Sequence, residues 1–195
     1  GGCGEIISDC ASVSVVQNPE ITVTSNNPIP ICVGGTIDDI EVQTSGGVGT
    51  ATYQWWISDV AGIPISQDIN SSNSPSFNPG VFDNVGTFYY VAIVDFDGSG
   101  CNQGISSTIT VEVVDNPVIE TLIPTQVICE GTSPTALEAN VSGGTGAYSY
   151  QWYESPSNLP ISGATNTIFT PPTDVVGLFN YYVVVTTDAS GCEAT

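Results

Sequence analysis

The chain repeats itself at an interval of about 97 residues, and this self-similarity limits the fold more than any other feature. Cys32 returns as Cys129, Gly46-Gly47-Val48-Gly49 as Gly143-Gly144-Thr145-Gly146, and Gln54-Trp55-Trp56 as Gln151-Trp152-Tyr153, all at an offset of 97. Pro64-Ile65-Ser66 returns as Pro160-Ile161-Ser162 and Tyr89-Tyr90-Val91 as Tyr181-Tyr182-Val183, at offsets of 96 and 92, so the second copy is shorter by a few loop residues. Cys101 returns as Cys192, and the stretch from Cys3 to Asn18-Pro19 matches Cys101 to Asn116-Pro117 at an offset of 98. Residues 1–18 therefore read as the C-terminal strand of a preceding repeat, 19–116 as one whole repeat, and 117–195 as a repeat lacking its last strand. The chain opens at Gly1-Gly2-Cys3 and both ends fall inside repeats, the pattern expected of a window on a longer array.

Within a repeat the apolar residues alternate over short stretches bounded by Gly-Gly, Asn-Pro and Asp-Gly turns, and no stretch carries a helical period. Strands are expected at 20–25, 36–44, 51–58, 86–94 and 105–114, with a variable region between the third and fourth. Short strands at this density predict an all-β fold of tandem sandwich repeats. Two anchors give it an immunoglobulin-like arrangement. Trp55 and Trp152 fall in mid-strand C, where such sandwiches bury a Trp between their sheets. Asp83, Gly86, Tyr89 and Val91 resemble the run at strand F, with Tyr89 at the tyrosine-corner place and Val91 where a Cys commonly stands. The second copy offers Asp174, Gly177, Tyr181 and Val183, with one extra residue before its Tyr. Ile40 and Leu137 replace the opposing Cys on strand B, so apolar packing takes over from an inter-sheet disulfide.

Composition narrows the function. The 195 residues include no Lys, Arg, His or Met against 20 acids, a formal charge of −20. Triads, Cys-His pairs, Schiff-base lysines and P-loops are thereby excluded. Nothing neutralises phosphate, so nucleic acid is not an expected partner. No acid sits in a glycosidase or aspartic-protease motif, and a non-catalytic role is expected. Three Trp, 8 Tyr and 6 Phe distinguish the chain from acidic disordered sequences. Six Cys beside abundant Gly, Ser and Thr point to an oxidising, extracellular setting.

The runs Ile31-Cys32-Val33-Gly34-Gly35-Thr36, Ser45-Gly46-Gly47-Val48-Gly49, Tyr53-Gln54-Trp55 and Asp97-Gly98-Ser99-Gly100-Cys101 resemble the Ig-like and PKD-like repeats of giant Bacteroidota surface adhesins. The second copy is similar in Ser142-Gly143-Gly144-Thr145-Gly146, Tyr150-Gln151-Trp152-Tyr153, Ile161-Ser162-Gly163-Ala164-Thr165 and Thr170-Pro171-Pro172-Thr173. The resemblance implies a stalk segment at the cell surface, in proteins of the SprB gliding-adhesin type that the type IX system exports. It also implies neighbouring repeats of the same chain and outer-membrane secretion or motility machinery as partners. The Trp-Asp-Phe-Gly-Asp-Gly hallmark of PKD repeats is absent, which favours the Ig-like branch.

The cysteines carry the sharpest expectation. In an Ig topology Cys32, before strand B, lies at the pole leading to the next repeat, whereas Cys101, after strand F, lies at the opposite pole. A strand of that length spans roughly 28 Å, while a disulfide tolerates Cα atoms about 4.4–6.8 Å apart. Pole geometry therefore favours Cys32–Cys192 across the junction, with Cys101 and Cys129 bonded to neighbouring repeats and Cys3 and Cys10 linked locally. Pairing within repeats, Cys32–Cys101 and Cys129–Cys192, is the alternative if the strand order is not Ig-like. Asp95 and Asp97 in Asp95-Phe96-Asp97-Gly98 are calcium candidates, although a Glu is lacking at the loop's twelfth position and an ordinary turn accounts for the same residues. Otherwise no cofactor or metal is expected. Trp56 and Tyr153 follow the core Trp, should face outward, and are candidate contacts for surface glycans. A stalk segment is thus the first reading, and a carbohydrate- or calcium-binding module of a secreted multidomain protein the alternative. In a third arrangement, strand exchange between chains joins the unpartnered strand at 10–16 to the second repeat.

Overall fold

The computed structural model describes residues 4–26, 30–58, 67–69, 73–98, 100–101, 103–122 and 125–192. Cys3 and the Pro64-Ile65-Ser66 match lie outside them. The first half contains β1 (Glu20–Val23), β2 (Ile31–Cys32), β3 (Ile40–Ser45), β4 (Ala51–Ser58), β5 (Gln67–Asp68), β6 (Ser76–Phe77), β7 (Gly86–Phe96), β8 (Gly104–Ile105) and β9 (Ile109–Val114). The second half contains β10 (Val118–Leu122), β11 (Leu137–Ser142), β12 (Tyr148–Ser155), β13 (Leu159–Pro160), β14 (Ile168–Phe169) and β15 (Asn180–Thr187). No helix occurs among the described residues.

In the first half β1-β3-β6 form one sheet and β2-β9-β7-β4-β5 the other. These are the A-B-E and A′-G-F-C-C′ orders of an immunoglobulin-like sandwich, in which the chain changes sheet between β1 and β2. β2 runs parallel to β9, Ile31 beside Val113, while the other ladders are antiparallel. The second half repeats the plan with β10-β11-β14 and β13-β12-β15. Alternation explains the flanking strands. Ile40 and Val42 of β3, and Ile109, Val111 and Val113 of β9, are buried, with exposed residues between them. β7 lies at the centre of its sheet and buries the unbroken run Tyr90 to Val94.

One aromatic unit builds both cores. Trp55 is fully buried, stacks on Phe77 at 5.7 Å between centroids, and Phe77 meets Tyr90 at 5.9 Å. Trp152, Phe169 and Tyr181 repeat it at 5.7 and 5.3 Å. Each indole N–H has a carbonyl acceptor, Ser74 O at 3.1 Å and Asn166 O at 2.9 Å. A buried Trp requires such a partner.

Four sequence expectations need correction. Tyr89 and Val91 do not face the inter-sheet core; Tyr90 and Ala92 do. Ala92 stands opposite Trp55 as Val183 stands opposite Trp152, so the strand F offset is 91 rather than 92. Because side chains alternate, that one-residue slip exchanges faces. Strand G is also not continuous from 105. Residue pairs across β7 and β8 sum to 198 (Ile93 with Ile105), whereas those across β7 and β9 sum to 199 (Tyr90 with Ile109), so one extra residue is accommodated at 106–108. This is a β-bulge. Buried Ser106 holds it, donating its N–H to Ala92 O and accepting Ala92 N–H on Oγ, both at 2.9 Å. Strand B begins at Ile40 rather than 36, with Thr36 making only an isolated bridge to Val81. No ladder forms at residues 10–16, where Val13 and Val15 are exposed.

Candidate functional site at the repeat junction

The junction joins the turn after β2 to the loop after β15. Cys32 and Cys192 form a disulfide with Cα atoms 4.8 Å apart and a sequence separation of 160. Both cysteines are buried, clustering with Ala189 and Val114. Around the bond, Cys32 N–H donates to Ser190 O and Thr36 N–H to Ser190 Oγ, both at 2.9 Å. The Asn116 side-chain amide, oriented to satisfy both ends, donates to Val33 O at 3.1 Å and Gly191 O at 3.0 Å. Asn116 belongs to the linker, so linker, turn and loop close on one another.

Glycine permits the close approach. A Cβ on Gly35 would lie 2.6 Å from Ser190 O, a backbone atom with nowhere to move. One on Gly191 would strike the Gly35 backbone, and Gly191 has a φ of +75°. A second clamp ties the linker to the Gly-Gly loop between strands B and C. Gly144 N–H donates to Asp115 O at 3.0 Å, and Gly47 N–H donates to Gln17 O at 2.9 Å at the corresponding place one repeat earlier. Beside the junction lies a groove of about 640 Å³, lined in part by Asp38, Asp39, Glu41 and Asp188, with no basic side chain among the 195 residues to offset them.

The other sequence candidates are dispersed. Cys101 is half-buried, its Sγ accepting Val48 N–H at 3.2 Å; Cys129 and Cys10 are exposed. The Cys3–Cys10 link lies outside the described residues because Cys3 does. Asp97 accepts Thr50 N–H at 2.6 Å, and Asp188 accepts Ala147 N–H at 3.1 Å in the second repeat, so this acid fastens the start of strand C in both. Asp95 accepts Gln103 Nε2 at 2.9 Å. Among the described residues no three His, Cys, Asp or Glu converge as metal ligands. Tyr153 is half-buried and stacks on Tyr182 at 5.1 Å with 11° between planes. Trp56 is half-buried with its indole N–H enclosed and unpartnered. Burial pushes the Tyr90 phenol up to about 12, and burial together with the Glu154 charge raises that of Tyr181.

Sequence reasoning identified the two bonded cysteines but not Gly35, Asn116, Ser190 and Gly191 around them. A usable signal was present: each Cys lies beside a Gly-containing turn, Cys32-Val33-Gly34-Gly35 and Ser190-Gly191-Cys192, as a tight backbone approach requires.

A profile of a domain of unknown function (DUF8696) matches residues 118–195, the region of the second sandwich. No curated protein sequence matches the chain. Among solved structures, the fibronectin(III)-like modules of Clostridium thermocellum CbhA are 14% identical with a TM-score of 0.41, covering 89% of this chain and 88% of that one. A Dscam structure concerned with isoform specificity is 16% identical with a TM-score of 0.40, covering 92% of this chain and 45% of that one. Sidekick-1 immunoglobulin domains 1–5 are 13% identical with a TM-score of 0.41, covering 78% and 30%. The chain thus spans less than half the length of the last two. These likenesses are slight, and the sandwich assignment rests on strand order, the parallel β2–β9 pair and the repeated Trp core.

Proposed function

We propose that this chain is a load-bearing segment of the shaft of a secreted cell-surface adhesin and performs no catalysis. The observation that carries the reading is the junction: two modules of one plan, a short Asn-Pro linker, and a disulfide that spans both. A separation of 160 in a chain of 195 leaves 34 residues, 1–31 and 193–195, outside the loop closed by Cys32–Cys192. Tension applied at the chain ends passes through the sulfur–sulfur bond and bypasses nearly all of both sandwiches. At roughly 3.6 Å per extended residue, the oxidised chain can lengthen only to about 125 Å plus the span of the bond, against about 700 Å when reduced. Single-molecule extension with and without dithiothreitol tests this; equal contour lengths in the two states would overturn it. The absence of Lys and Arg also leaves trypsin-like proteases nothing to cut, which suits an exposed shaft. Export by the type IX route, a gliding role, and outer-membrane motility machinery as partner follow from the sequence resemblance and form the finer version of the same proposal.

A second reading is favoured by one observation. The stacked Tyr153–Tyr182 pair is a flat aromatic feature on the second repeat, the chemistry that sugar rings use for stacking. A glycan-array signal lost on Tyr153→Ala would support a carbohydrate-binding module instead of an inert shaft.

A further inference from the structure

The disulfide divides the strands by whether a pull along the chain reaches them. β3 to β15 lie between Cys32 and Cys192, inside the closed loop, whereas β1 lies before Cys32. β2 carries Cys32 itself, and its Ile31 is buried in the core and paired with Val113. Tension entering upstream of residue 20 therefore runs through β1 and Ile31 into the sulfur–sulfur bond. β10 is the counterpart of β1 in the second sandwich, pairing with β11 as β1 pairs with β3. It lies inside the loop and carries no load while the bond is intact.

β1 is placed to feel that load lengthwise. Its start follows the Gln17 O–Gly47 N–H clamp at the loop between β3 and β4. Thr24 and Ser25, just past its far end, line the junction groove with Asp188 and Ser190. The strand thus runs from one pole of the sandwich to the pole that holds Cys32. Antiparallel ladder bonds stand perpendicular to their strands, so tension along β1 shears them together and does not open them one by one. The hold is short. Four register pairs join β1 to β3, Thr24 N–H donates to Glu41 O at 2.9 Å, and Glu41 N–H donates to Ser25 Oγ at 3.3 Å. Ile21 and Val23 turn inward and are partly buried against the core, while Glu20 and Thr22 are exposed. Ile21 rests against Gly104, where a Cβ would lie 2.7 Å from its Cγ1.

We propose that β1 is a force-released strand: tension shears it from β3, the disulfide stops the movement at Cys32, and β1 returns when the load falls. This rests on the shaft reading and names the element through which the shaft yields. Return is built in, because β3 and Gly104, which form the seat of β1, lie in the bypassed loop and stay folded. Only two inward side chains and a short ladder have to re-form. The movement is also bounded. Residues 20–31 at roughly 3.6 Å each add less than about 43 Å, since the distance they already span is subtracted.

The test is force-clamp extension of the full oxidised chain, held by handles fused to its two ends. One reversible step of under about 43 Å is expected before the covalent stop. Ile21→Ala should speed that step about tenfold at fixed force, the loss of a partly buried aliphatic side chain. Thr22→Pro, which leaves the core untouched but cannot donate to the ladder, should abolish the step without changing the final length. Ile119→Ala, at the matching position of β10, should leave the step unchanged until dithiothreitol opens the loop. A step longer than this limit, no separate step, or equal effects of Ile21→Ala and Ile119→Ala in the oxidised chain would each overturn the proposal. A short oxidised contour length that is indifferent to Ile21→Ala and Thr22→Pro would sink the β1 release alone and leave the shaft reading intact.

Discussion

Tyr90 shows how a single side chain carries information on both fold and stability. It is 4% exposed, and burial pushes its phenol up to about 12 from an ordinary value of 10. The folded state therefore holds the proton more tightly than the unfolded one. That contribution is complete below pH 10 and is lost between pH 10 and about 12, because the unfolded phenol ionises first. A shift of this size corresponds to about 2–3 kcal/mol. Urea unfolding at pH 9 and pH 11.5 should show Tyr90→Phe losing less stability over that interval than the parent chain, and equal losses would refute the assignment. The same residue explains the misreading of strand F. Asp83, Gly86 and Tyr90 match Asp174, Gly177 and Tyr181 at one constant offset of 91, so no extra residue is needed in the second copy. The adjacent Tyr89-Tyr90 pair allowed either Tyr to be chosen, and only the ladder to Trp55 and Ala92 fixes the face.

Among the elements, strands with one buried face were legible because alternation reports burial directly, as in β3 and β9. β7 was legible by its length and β-branched content, although its two buried faces leave no alternation from which to read register. The bulge was not legible. Ser106 and Ser107 look like exposed strand residues, and only the fold reveals that the Ser106 hydroxyl meets a main-chain N–H. That hydroxyl also donates to Ser107 O at 2.9 Å, so it fixes both sides of the bulge. Ser106→Ala strands the Ala92 N–H in a buried setting, a loss of about 1–3 kcal/mol. Denaturant unfolding monitored by Trp fluorescence should register it, with Ser107→Ala near neutral as the control; a neutral Ser106→Ala would show that the bulge needs no side-chain anchor. Of the candidate site, the cysteine pair was readable through pole geometry. The backbone contacts of Ser190 and the Asn116 bridge were not, since they arise only once two modules meet.

Across the whole molecule, 20 acids face no side-chain cation, so every long-range side-chain interaction is repulsive. Most proteins lose attraction as well as repulsion when salt is added; this one has only repulsion to lose. Raising sodium chloride from about 10 mM to 150 mM shortens the Debye length from about 30 Å to about 8 Å, so stability should rise with salt. The acids that line the junction groove, Asp38, Asp39, Glu41 and Asp188, come from both repeats and should make the junction especially responsive. An effect on the order of 1 kcal/mol per repeat corresponds to roughly 4–8 °C in Tm. Sodium and choline chlorides should act alike, because screening depends on ionic strength rather than on the ion. Calcium chloride at matched ionic strength then separates two ideas. If Tm follows the same curve, Asp95 and Asp97 serve as the loop acceptors seen for Gln103 and Thr50. If calcium alone raises Tm further, and Asp97→Asn removes the excess, the first repeat carries a cation site and the shaft would stiffen in calcium-rich surroundings. A Tm that falls as salt is added would contradict the electrostatic argument at its root, since the sequence offers no cationic side chain with which an acid could pair.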